Sequence, residues 1–177
     1  MALATLRKNP TLAATAAILV VAAATIGGAF IFQAFGYAPC ELCLKQRIPY
    51  YAGIAAAVLA LAAGAGGFRA IVPAALVLLA LIFAGSMVFG IYHAGVEWSF
   101  WPGPTDCTGT YKKSQSTADF LQQLETVKVV RCDAVAIRIL GLSLAGWNAV
   151  VSAGLVALAI AGLRASRRRA ESSLSSR

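Results

Sequence analysis

Four cysteines are the residues of this sequence best suited to chemistry. Two of them, Cys40 and Cys43, form a Cys-x-x-Cys motif in the stretch APCELCLKQR, residues 38–47. Cys107 and Cys132 lie much further along the chain. A close cysteine pair can bind a metal, form a structural disulfide or exchange electrons as a dithiol. The spacing of the cysteines and the segments around them distinguish between these three chemistries.

The spacing of the cysteines favours redox chemistry over a zinc site. Zinc sites usually combine two close ligand pairs, whereas Cys107 and Cys132 are far apart and His93 is the only histidine. We therefore expect no metal. A disulfide between Cys40 and Cys43 would close a very short loop and stabilise little. For Cys107 and Cys132, whose loop is long, a purely structural disulfide remains an open alternative.

The composition indicates a membrane protein, since 59% of the residues are hydrophobic and only 12% are charged. A membrane-spanning helix needs about 20 apolar residues, and four runs meet this length. We predict an all-α membrane protein, a four-helix transmembrane bundle with two extracytoplasmic loops. The predicted helices are 11–35, 48–67, 71–92 and 139–163, within a single membrane domain, 1–163, that is followed by a basic cytoplasmic tail, 164–177.

The basic residues predict the orientation in the membrane, because they collect in cytoplasmic loops. Three segments are rich in arginine and lysine: the N-terminal tail, the link near Arg69 and the C-terminal tail. The segments 36–47 and 93–138 carry more balanced charges. Both termini should therefore be cytoplasmic and both of these segments extracytoplasmic. The arginine-rich tail suits anionic lipid, and we expect no nucleic-acid partner.

All four cysteines fall in the two segments predicted to lie outside, where disulfides persist. Cys43 lies just before the second predicted helix, and Arg47 follows four residues later. A helix N-terminus and a nearby arginine both favour a thiolate, so we expect one at Cys43. Because Pro49 fits best in a first turn, the regular helix should begin near Gln46. Arg47 either extends toward the lipid head groups or stabilises charge at a bound ligand.

The second extracytoplasmic loop has a helical pattern over residues 114–129. Ser116 and Asp119 have the spacing of a capping box, with aspartate in place of the usual glutamate or glutamine. The apolar residues that follow fall on one helical face: Phe120, Leu121, Leu124 and Val127. We predict a short amphipathic helix that lies on the membrane surface or packs on top of the bundle.

Several motifs resemble those of one known family. PCELCLKQR leads into a helix, IYH ends the third span, a cysteine follows WPGPT, and a Cys-Asp precedes GLSLAGWN. Together they resemble the disulfide bond formation protein B (DsbB) family of bacterial inner-membrane quinone reductases. The resemblance covers roughly residues 11–163. The segment DAVAIRILG after Cys132 departs from it, since it lacks the aromatic residue or proline expected before the fourth helix.

The resemblance implies a function and a set of roles. The protein would reoxidise a periplasmic DsbA-like thiol oxidase and pass two electrons to a membrane quinone, ubiquinone rather than menaquinone. Cys107 would react with the soluble partner, and Cys132 would exchange with the pair Cys40 and Cys43. Cys43 would contact the quinone. Arg47 and His93 match positions that the family associates with the quinone.

Two other functions are compatible with parts of the pattern. A vitamin K epoxide reductase-like protein has a similar bundle and similar chemistry, but its loop cysteines precede its Cys-x-x-Cys, whereas here the motif comes first. A non-enzymatic four-span scaffold or transporter would hold the four cysteines in inert disulfides. The predicted spans contain no charged residue that would support transport.

Overall fold

The computed structural model of the chain describes residues 9–104, 116–117 and 130–175. Four long helices dominate this part of the chain: α1, Pro10–Ala34; α2, Glu41–Ala65; α3, Ile71–Glu97; and α4, Leu144–Ser175. A short antiparallel hairpin precedes α4 and consists of β1, Arg138–Ile139, and β2, Leu142–Ser143. Cys107 and most of the predicted amphipathic helix 114–129 lie outside the described residues.

Each of the four helices is long and apolar enough to cross a membrane. α1 and α2 have 25 residues each. At about 1.5 Å per residue such a helix is roughly 37 Å long, which exceeds the roughly 30 Å hydrocarbon core. Apolar runs form helices there because backbone groups in hydrocarbon have to pair within their own segment. The predicted all-α four-span bundle is confirmed.

The helices pack around one apolar core. α4 lies against α3 and α1, and α2 also contacts both α3 and α1. The core contains large buried side chains from all four helices: Ile18 and Ile26 of α1, Tyr50 of α2, Leu76, Leu79 and Phe83 of α3, and Leu155 of α4. At Gly90 a Cβ atom would lie only 2.9 Å from the backbone nitrogen of Ala149. A small residue at this crossing allows α3 and α4 to approach closely.

Three helices have boundaries that differ clearly from the predicted ones. α2 begins at Glu41 rather than at 48, because the helix accommodates Pro49 in its interior, so Cys43 lies in the first turn. α3 continues to Glu97 rather than ending at 92. α4 begins at Leu144 rather than at 139 and continues to Ser175, so most of the predicted tail 164–177 is helical.

The hairpin explains why α4 starts late. Leu140 and Gly141 between the two strands have positive φ angles of 52° and 84°, as in the two-residue turns that match the twist of paired strands. The indole Nε1 of Trp147 donates a hydrogen bond of 2.9 Å to the carbonyl oxygen of Ile139. This bond ties the hairpin to the first turn of α4.

Candidate functional site

Cys40 and Cys43 lie together where α2 begins. Cys40 is the N-cap residue, and its sulfur accepts a hydrogen bond of 3.3 Å from the backbone N–H of Cys43. The two sulfur atoms are 2.9 Å apart, and both cysteines carry free thiols. A disulfide bond is about 2.05 Å long. The pair can therefore be oxidised with a small side-chain movement and without rearrangement of the helix.

The surroundings of Cys40 favour its ionised form. The pKa of Cys40 is lowered to about 5, mainly by the hydrogen bond with the Cys43 thiol. Burial opposes this shift, and His93 and the Cys43 backbone N–H add smaller contributions that lower the pKa. The sequence analysis placed the thiolate on Cys43. The structure directs the free N–H of the first helical turn at Cys40 instead, because Cys40 and not a later residue caps the helix.

Cys132 belongs to the same buried region as this pair. It is 2% exposed and forms one buried cluster with Cys40 and Leu42, against which Cys43 packs. Cys132 is disulfide-bonded. Cys107 lies outside the described residues. The chain thus brings three of its cysteines together at one end of the bundle, two as free thiols and one in a disulfide.

His93 lies on α3 and faces Cys40. Its side chain is 1% exposed, and Nε2 lies 3.6 Å from the Cys40 sulfur. The ring atom Nδ1 is buried and has no hydrogen-bond partner among the described residues. His93 does not line the large cavity described below. The structure therefore places it beside the dithiol, against Cys40.

Glu97 is a site residue that the sequence analysis missed. It lies one helical turn after His93, at the end of α3, and its Oε2 atom is buried without a hydrogen-bond partner among the described residues. Glu97, His93, Cys40 and Cys43 line one small cavity of about 30 Å³. The spacing of four residues between His93 and Glu97 was the available signal, since it places both on one helical face.

A larger cavity of about 380 Å³ opens on the other side of Cys43, between α1, α2 and α4. Its walls are mainly apolar, with Phe32 and Trp147 among the aromatic residues. Gln46, Arg47 and Asn148 contribute polar groups. This volume is within the range of small-molecule sites, which are typically apolar with a few polar groups that orient the ligand.

α1 holds Arg47 at this cavity. The guanidinium Nη1 donates a hydrogen bond of 2.9 Å to Oε1 of Gln33, and the guanidinium carbon lies 5.0 Å from the centre of the Phe30 ring. Both contacts come from the last turns of α1, one through an amide and one through an aromatic face. The positive charge of Arg47 is therefore positioned close to Cys43, one helical turn away.

Two buried amides beside the cavity have unused donors. The Nε2 atom of Gln46 and the Nδ2 atom of Asn148 have no hydrogen-bond partner among the described residues. The Oδ1 atom of Asn148 accepts a hydrogen bond of 2.7 Å from the Tyr50 hydroxyl, which also lies 3.2 Å from Ser152 Oγ. An apolar ring with carbonyl acceptors, such as a quinone, fits a cavity with these walls and donors.

Comparisons with known proteins identify a family for the chain. A family model described as Disulfide bond formation protein DsbB matches residues 11–162. The chain is also similar to an uncharacterized protein of Rickettsia prowazekii (strain Madrid E), with 27% identity over 120 residues that cover 67% of each protein. None of the solved structures gave a significant match. The family match includes all four cysteines.

Proposed function

The chain belongs to the disulfide bond formation protein DsbB family, and from this premise we propose that it reoxidises a periplasmic DsbA-like thiol oxidase and passes the electrons to a membrane quinone. Family membership makes the protein an oxidoreductase of disulfide bond formation. Its four apolar helices make it a multi-pass membrane protein. The donor protein, the electron acceptor and the order in which the cysteines react are the parts that we propose.

The main support for the proposal is the position of Cys43. Its sulfur lies 2.9 Å from that of Cys40, and the same residue lines the 380 Å³ apolar cavity. Cys40 in turn packs in one buried cluster with Cys132. A path thus leads from Cys132 through Cys40 and Cys43 to a site that can hold an apolar acceptor. An inert scaffold would not need a free dithiol between a disulfide and a cavity.

Electrons and protons balance along this path. The reduced partner transfers its two electrons to the pair of Cys107 and Cys132, and its own dithiol becomes a disulfide. The sulfur of Cys132 then attacks Cys40 in the Cys40–Cys43 disulfide, and Cys43 leaves with the electron pair. Attack of Cys107 on Cys132 releases Cys40 and closes the loop disulfide. The result is a Cys40–Cys43 dithiol beside the cavity.

The residues around the cavity hold the acceptor in this proposal. A bound quinone supplies the oxidising power, since it takes up the two electrons and two protons of the dithiol. DsbA-type proteins have potentials of about −120 mV, so only a more oxidising acceptor can drain electrons from them. Arg47 would face developing negative charge on the ring, and Gln46 and Asn148 have amide donors for its carbonyl groups. We expect ubiquinone rather than menaquinone.

The proposed orientation follows from the basic residues. Both termini and the link near Arg69 lie in the cytoplasm, and the cysteine-containing loops lie in the periplasm of the bacterial inner membrane. The loop pair can then meet a soluble protein, and the dithiol at the start of α2 lies at a depth that a quinone head group can reach.

A coupled assay tests the proposal. The protein in detergent is mixed with a reduced DsbA-like thiol oxidase and a soluble ubiquinone analogue, and quinone absorbance is followed. We expect turnover that both Cys43→Ser and Cys107→Ser abolish. Leu44→Ser changes an exposed residue of the same helical turn and should retain activity. Absence of turnover in the wild type, with all four cysteines locked in disulfides, would reject the proposal.

A further inference from the structure

Glu97 is a half-buried acid beside the Cys40–Cys43 pair. The carboxyl group has a hydrogen bond with the Ser143 side chain, but its buried Oε2 atom has no hydrogen-bond partner among the described residues, which is costly for a buried oxygen. The residue shares a cavity of about 30 Å³ with Cys40, Cys43 and His93. This cavity has the volume that a single water molecule needs. The cavity therefore connects Glu97 with the two sulfur atoms.

The groups that face Glu97 come from every element around it. α3 contributes His93, and the start of α2 contributes Cys40 and Cys43. The hairpin contributes Ser143 and Arg138, which interact with the carboxyl group, and Arg131 lines the small cavity. Nε of Arg131 donates a hydrogen bond of 2.9 Å to Asp133 Oδ1. Arg131 is thus already paired with another acid, so Glu97 keeps an oxygen available.

Exchange between the two cysteine pairs requires a proton carrier. When Cys132 attacks Cys40, the Cys132 thiol gives up its proton, and the sulfur that leaves has to gain one. Over the whole exchange two electrons move from the Cys107–Cys132 dithiol to the Cys40–Cys43 disulfide. Of the two protons that the loop thiols release, one is taken up by Cys43, and the other goes to a nearby base where Cys40 stays ionised. Because Cys132 and His93 are almost fully buried, protein groups beside the sulfur atoms are better placed than bulk water to accept the proton.

We propose that Glu97 carries the proton between the two cysteine pairs, through His93 and the small cavity that both residues line. His93 contacts the reacting sulfur of Cys40 directly, at 3.6 Å, whereas Glu97 acts through it and through the cavity. The inference rests on the proposed function, because it assumes that the two pairs exchange. It assigns Glu97 to the thiol–disulfide step and not to the step at the large cavity, which Glu97 does not line.

The test follows exchange without quinone. Fully oxidised protein is mixed with a reduced DsbA-like oxidase, quenched with acid at intervals and alkylated, and mass spectrometry of the peptides shows which pair is reduced. The Cys132→Ser variant gives the rate of direct reduction of Cys40 and Cys43 without the relay. The rates are measured from acidic to alkaline pH for the wild type, Glu97→Gln and Glu97→Asp.

We expect Glu97→Gln, which keeps the size of the side chain, to slow exchange on the order of a hundredfold near neutral pH, as for removal of a general acid–base group. The pH dependence should flatten, and Glu97→Asp should restore part of the rate. A wild-type rate and pH profile in Glu97→Gln would overturn the inference, as would an equal loss at every pH with no rescue by aspartate.

The same experiment separates this inference from the proposed function. If the pairs exchange in the wild type but the protein does not reduce a quinone, the proposed acceptor is wrong. The role of Glu97 is then tested by the pH profile of exchange in Glu97→Gln alone. If the wild-type pairs do not exchange at all, both are rejected.

Discussion

The Cys40 sulfur lies 3.6 Å from Nε2 of His93, where α3 packs against the start of α2. The backbone N–H of Cys43 donates a hydrogen bond to the same sulfur, and the Cys43 sulfur lies 2.9 Å from it. A thiolate is thereby stabilised in the reduced pair. Stabilising the reduced form makes a dithiol more oxidising, which suits a pair that has to take electrons from another disulfide system.

The first prediction concerns the pH dependence of Cys40 reactivity. Because its pKa is lowered to about 5, Cys40 should be ionised at neutral pH and become protonated only as the pH falls through that value. Alkylation of the reduced protein at Cys40, followed by mass spectrometry, should reach half its maximal rate near pH 5. Cys43→Ala removes the largest cause of the shift, so the midpoint should move up toward the ordinary thiol value of about 8.5. A midpoint near that value in the wild type would contradict the prediction.

The second prediction concerns Arg47 and the quinone. Arg47→Gln removes a charge beside the cavity, and a hydrogen bond to a charged group is worth about 1.5–3 kcal/mol. The KM for the quinone analogue should therefore rise on the order of tenfold or more, while exchange between the cysteine pairs keeps its rate.

Lys45→Gln is the matched control for Arg47→Gln. Lys45 lies on the same helix but pairs at 3.4 Å with Glu41 and does not line the cavity. Its substitution should leave the quinone KM unchanged. Equal effects of the two substitutions would indicate that Arg47 contributes only general charge at the membrane surface.

The third prediction concerns the contact between α3 and α4. A Cβ atom at Gly90 would lie 2.9 Å from the backbone nitrogen of Ala149, whereas one at Gly85 would meet nothing within 4 Å. Gly90→Ala should destabilise the protein by about 1–3 kcal/mol through overpacking. Gly85→Ala should be neutral or slightly stabilising, because alanine has the higher helix propensity. Thermal unfolding in detergent would compare them, and equal unfolding temperatures would contradict the packing that we describe.

The sequence was sufficient for the four membrane-length helices. Apolar runs of membrane length can only be helices, so this part of the prediction depends on local composition alone. The start of α2 was predicted wrongly, because Pro49 was expected to mark the first turn. The helix tolerates it in the interior, and Cys40 rather than a later residue is the N-cap.

The hairpin before α4 could not be separated from a helix by its apolar residues. Ile139, Leu140 and Leu142 continue the hydrophobic run of α4, and Gly141 was the single local signal for the turn. The positions of His93 and Glu97 depend on how α3 is rotated about its axis. That rotation is set by packing against α2 and α4, which a single sequence does not reveal.

A single-turnover measurement tests the central claim most directly. The protein is fully reduced, separated from the reductant and mixed without air or any partner protein with a ubiquinone analogue. We predict that two quinones are consumed for each protein molecule, because the Cys107–Cys132 dithiol reduces the first Cys40–Cys43 disulfide again, and that all four cysteines finally become resistant to alkylation. The Cys43→Ser variant should consume none in that phase. If the wild-type dithiol remains open to alkylation while the quinone persists, the start of α2 is not where this protein passes on its electrons.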